Sequence, residues 1–128
     1  MRVKNKERRY LTVNKYITVG HMHFELIKDH RDAFDLEQFK DKYNEVLNKY
    51  DFIVGDIGYE KLRLTGFFRD DKKKTDVDKK FSAIEDYLFE YCNFGCAYFI
   101  LRKLSKAEQK SLGLKDENPS AKEEYIKE

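Results

Sequence analysis

The chain has 128 residues, enough for one domain with a buried core, and 39% of them are charged against the usual quarter. Ten Phe and nine Tyr exclude a disordered or collagen-like chain, and no apolar run approaches the roughly 18 residues needed to cross a membrane. The formal net charge of +2 is unevenly spread: Arg2, Lys4, Lys6, Arg8 and Arg9 against Glu7 give residues 1–9 a charge of +4, and the remainder is slightly acidic.

Residues 1–9 read as a flexible basic arm that attracts polyanions by counterion release. Residues 10–19 are rich in β-branched and aromatic types, and Met22–Ile27 is a second extended run, which predicts a hairpin about Gly20-His21. Asp35 is placed as an N-cap, with Gln38 at the capping-box position and Phe34 and Phe39 as a hydrophobic staple. Leu36, Phe39, Tyr43, Val46, Leu47 and Tyr50 then form one helical stripe. Phe52–Ile57 and Leu62–Phe68 predict another hairpin, followed by a charged loop over 69–80. A second helix carries Phe81, Ile84, Leu88 and Tyr91 on one face, with Asp78 or Ser82 as its cap and Asn93 or Gly95 at its end. Cys96–Lys103 is a last strand whose unbroken apolar middle predicts a central strand covered on both faces.

The predicted fold is α+β: a largely antiparallel sheet in β-β-α-β-β-α-β order, with two helices packed on one face. That order is compatible with a ferredoxin-like domain. The domain is assigned to 10–104. The polar tail, 105–128, carries capping-box patterns at Ser105-Lys-Ala-Glu108 and Ser120-Ala-Lys-Glu123 for short, marginal helices. A basic start without an apolar h-region, and two cysteines read as thiols, predict a cytoplasmic protein.

Several constellations bear on function. If Ile57 pairs with Leu62, Asp56 stands opposite Arg63, with Phe52, Val54, Thr65 and Phe67 on the same sheet face. Such a pair fixes strand register, or poises a guanidinium for a carboxylate or phosphate, with Tyr59 at the loop tip bordering it. Asp86 and Glu90 share a helix face and are candidates for acid–base work or for holding a hydrated cation, though solvated helix charges are commoner. His21 and His23 with Cys92 and Cys96 offer a zinc-type donor set, but nothing brings the two pairs together, so neither a metal nor a cofactor is expected. Asn93, Phe94 and Tyr98 belong to a segment that partly matches the stacking strand of RNA-recognition motifs; it lacks that motif's leading basic residue. There is no phosphate loop, dinucleotide fingerprint or serine elbow.

Two stretches carry a family resemblance. One is Ile53-Val54-Gly55-Asp56, Gly58-Tyr59, Leu62-Arg63-Leu64 and Gly66-Phe67-Phe68. The other is Asp86-Tyr87-Leu88 and Glu90-Tyr91-Cys92-Asn93-Phe94-Gly95-Cys96-Ala97-Tyr98-Phe99. Over about residues 22–104 the chain resembles the YutD-like family of small cytosolic proteins from Gram-positive bacteria. The resemblance implies an α+β cytosolic domain and transfers no catalytic or binding residue.

These observations favour a non-enzymatic binding module associating with RNA or a ribonucleoprotein through the basic arm and an aromatic-bearing face. Tyr59, Arg63 and the 93–98 segment would supply selectivity. The competing readings are a protein-interaction adaptor with an exposed patch at Tyr59, Phe67 and Phe94, and a small enzyme using Asp56, Asp86 and Glu90. Neither a membrane partner nor a particular oligomeric state is implied.

Overall fold

The computed structural model describes residues 15–58, 60–92 and 95–116. The basic arm, residues 10–14 of the first predicted strand and the Ser120 capping pattern lie outside the described residues. β1 (Lys15–Val19) and β2 (Met22–His30) turn back through Gly20, at φ 60°, and His21, as predicted. β3 (Phe52–Gly58) and β4 (Lys61–Phe67) form the second hairpin, and β5 (Ala97–Lys103) is the last strand. Among the described residues all strand pairings are antiparallel, in the spatial order β1-β2-β5-β3-β4. β5 lies between β2 and β3 and buries Phe99 and Leu101 on one face and Tyr98 on the other. The most continuously apolar strand thus takes a position covered on both sides, as its sequence predicts.

The α+β class, the antiparallel sheet and the chain order through β5 are as expected; the placing of both helices on one face is not. α1 (Leu36–Lys42) sends Phe39 into a cluster with Phe24, Ile53, Leu62, Phe99 and Leu101. α2 (Ile84–Cys92) sends Ile84 and Leu88 into a second cluster with Val54, Phe67 and Tyr98. Successive residues of β3 and β5 alternate between the two clusters, so the helices cover opposite faces. Both faces of the middle strands are apolar, and helices this short each cover only one. The ferredoxin-like order also fails, because β5 inserts beside β2 and leaves the strand before α1 at the flank of the four-strand core.

Local chemistry explains the remaining differences. Asp35 caps α1 through Gln38 N–H, and Phe34 packs against Phe39 with ring centroids 5.7 Å apart. The helix stops at Lys42, however, because Asn44 caps a separate 3₁₀ turn, Glu45–Lys49, by accepting from Val46 N–H. The predicted single stripe is therefore broken, and Leu36 and Val46 are exposed. Neither Asp78 nor Ser82 caps α2. Two 3₁₀ turns, Val77–Lys79 and Phe81–Ala83, lead into it, and Asp70 of the charged loop accepts from Ser82 N–H at 2.9 Å. α3 (Lys106–Leu112) follows β5 and opens on a complete capping box between Ser105 and Glu108. Gly55 faces Phe99 across β3 and β5, and a Cβ there would lie 2.1 Å from the ring, so only glycine lets the ring sit over the strand.

Candidate functional site

β3 and β4 pair in the register read from the hairpin, with Asp56 opposite Arg63 and Ile57 opposite Leu62. Asp56 is fully buried on the α2 side of the sheet. Its Oδ1 accepts from Arg63 Nε at 2.9 Å and Nη2 at 2.6 Å, and its Oδ2 accepts from the Tyr87 hydroxyl at 2.8 Å. Tyr87 commits its single proton to Asp56, so the Thr65 hydroxyl, 2.8 Å away, donates to the phenol oxygen. Arg63 is half-exposed, reaches the Tyr91 carbonyl at 3.5 Å and lies 5.8 Å from the centre of the Tyr91 ring. Its hydrogen bond to Asp56 raises the guanidinium pKa further, and burial raises that of the Tyr87 phenol. A buried carboxylate with both oxygens engaged is a structural ion pair, leaving no accessible lone pair for catalysis.

Beside this network lies a cleft of about 380 Å³ between α2 and the outer side of β4. Thr65, Phe67, Asp86, Tyr87, Glu90 and Tyr91 line it, with Asp78 and Lys79 at its rim. Asp86 and Glu90 therefore do share a surface, but they face the cleft and solvent, whereas Asp56 is sealed beneath Tyr87. The cleft can attract positive charge and accept hydrogen bonds.

The other candidates separate. Phe67 and Tyr98 are buried, and Tyr98 is further covered by His30, stacked at 4.9 Å. Neither exposes a ring face on which a nucleobase could stack, although Phe67 lines the cleft beside Tyr87. Tyr59, Asn93, Phe94 and the basic arm lie outside the described residues. His21 and His23 do point the same way, but toward Asp116: His21 Nδ1 meets Oδ2 at 2.9 Å and the buried His23 Nε2 meets Oδ1 at 2.6 Å. His23 Nδ1 is 2.8 Å from Thr18 Oγ1. Cys96 is disulfide-bonded, correcting its reading as a thiol.

Sequence reasoning missed Tyr87, Thr65 and Asp116 as partners. Tyr87 does follow Ile84 at a helical spacing of three, but its neighbour on β3 becomes visible only once α2 is laid on the sheet.

Comparison with known proteins now adds identity to geometry. Residues 18–102 match the family model described as "Putative antitoxin YutD-like". The chain is similar to "Putative antitoxin YutD" of Bacillus subtilis (strain 168), 49% identical over 90 residues that cover 70% of this chain and 99% of the relative. It is also similar to the solution NMR structure of protein yutD from B. subtilis, with 48% identity and a TM-score of 0.62, covering 72% of this chain and 84% of that one. On the family model and the extent of identity together, the chain belongs to the YutD-like family.

Proposed function

We propose that this protein works by holding a protein partner, and that the partner docks on the acidic, tyrosine-lined cleft between α2 and β4. The carrying observation is the cleft itself, where Asp78, Asp86 and Glu90 face a single lysine, Lys79, beside the exposed Tyr91. Such a wall repels phosphate and attracts a basic, partly apolar surface. Burial of Phe67 and Tyr98 also removes two of the stacking residues that an RNA-binding face requires. The name of the B. subtilis relative, "Putative antitoxin YutD", is in keeping with a protein that acts through a partner. The engagement of Asp56 by Arg63 and Tyr87 argues against the enzymatic reading.

The test is affinity capture from a lysate of B. subtilis, the relative's organism, with and without nuclease, using the wild-type chain and an Asp86→Lys/Glu90→Lys variant side by side. The expected result is a discrete protein retained by the wild type and lost from the variant. Retention that vanishes with nuclease, or a protein held equally by both chains, would overturn the assignment.

A further inference from the structure

The geometry points to the way this partner is held: resting on the protein-partner reading of the same cleft, β4 accepts an extended partner segment as a sixth strand, and that segment alternates basic with apolar side chains. Among the described residues β4 is the last strand of the sheet, paired on one side only. Its backbone directions follow from its C-terminal end. The Phe67 carbonyl accepts from Asp51 N–H, on the β3 side. The next residue, Phe68, donates its N–H to Lys79 and accepts from Phe81 N–H, on the outer side. Backbone groups reverse direction at each residue of a strand, so Gly66, Leu64 and Leu62 also direct their N–H and C=O groups outward. Among the described residues no hydrogen bond meets these groups. The edge already takes one β-type contact, the parallel bridge between Phe68 and Lys80, and no other among the described residues.

The two flanks of this edge differ in chemistry. An added strand's side chains alternate between the faces of the sheet. Those level with Arg63, Thr65 and Phe67 project over the cleft, toward Asp78, Asp86 and Glu90. The charge of Arg63 is already engaged by Asp56. Side chains level with Leu62 and Leu64 project to the opposite face, over a groove of about 360 Å³ where Val46, Leu47, Leu62 and Leu64 meet Lys42, Asn44 and the edge of β4 at Arg63 and Thr65. The acids on one side, and on the other a groove with four aliphatic side chains and no acid, select a strand with lysine or arginine at alternate positions and leucine- or valine-like residues between.

The experiment uses the full ¹⁵N-labelled chain and a short capped peptide alternating lysine and leucine. The controls are a peptide alternating glutamate and leucine, and a block peptide of the lysine–leucine composition. The alternating basic peptide should slow amide exchange at Leu62, Leu64 and Gly66 by about tenfold or more, while neither control does. Asp86→Asn/Glu90→Gln should weaken this binding several-fold. Leu64→Pro removes an outward N–H but no bond to β3, so it should fold, shown by its melting curve, and lose the protection. Equal protection by the glutamate peptide, or peptide-induced shifts with no protection at the edge, would overturn the inference. So would protection of these amides by rising concentration of the chain alone, which would make a second copy the occupant. If capture of the partner still depends on Asp86 and Glu90 while the edge amides stay unprotected, strand addition falls and the cleft reading survives.

Discussion

Asp56 has no contact with solvent, and it is tolerable there because two guanidinium nitrogens and a phenol hydroxyl replace water. Removing one donor should cost more than the intact pair contributes, because the remaining carboxylate stays buried. Arg63→Ala is expected to destabilise the chain by roughly 1–3 kcal/mol, discounted because Arg63 is half-exposed. Thermal melts would check it, and an unchanged midpoint would mean that water replaces the guanidinium. Half of this site was legible from sequence. Period-two pairing within a hairpin sets Asp56 opposite Arg63 by counting alone. The Tyr87 hydrogen bond was not legible, because it joins residues 31 apart through the phase and height of a helix over the sheet.

At the scale of elements, local capping signals were read reliably where the partners are close in sequence. Asp35 over α1 and the Ser105–Glu108 box over α3 both form as the residue pattern predicts. Two boundaries depended on more distant chemistry or a competing local signal. Asn44 starts a second turn where the hydrophobic stripe alone would continue one helix, and Asp70 reaches across the charged loop to Ser82. α3 is also tied to the sheet: Arg102 on β5 donates to Glu108 at 2.9 and 3.2 Å and to Glu25 on β2 at 2.9 and 3.2 Å. Ser105→Ala removes one cap hydrogen bond and should cost about 0.5–2 kcal/mol in a denaturant titration. Faster amide exchange should be confined to the start of α3, and a loss spread evenly over the sheet would argue against an independent cap.

Over the whole molecule, two contacts link sequence-distant elements to acid stability. Hydrogen bonds from Arg102 hold the Glu108 carboxyl down at about 2, and His21, then His23, lower Asp116. Carboxylates with depressed folded-state values add stability that is present above their unfolded values and lost as pH falls through the folded ones. Stability should therefore hold above about pH 4.5 and decline toward about pH 2. Glu108→Gln should flatten part of that decline in melts recorded across the window; an unaltered acid profile would exclude Glu108 as a contributor. The sequence by itself determined the strands, the hairpin registers, the central place of β5 and family membership, because periodicity, turn residues and continuous identity are local records. Only the tertiary structure decided which face each helix covers, that Asp116 meets two histidines, and that Phe67 and Tyr98 are buried. Those outcomes turn on which apolar faces meet when the elements pack, and neither propensity nor spacing encodes that choice.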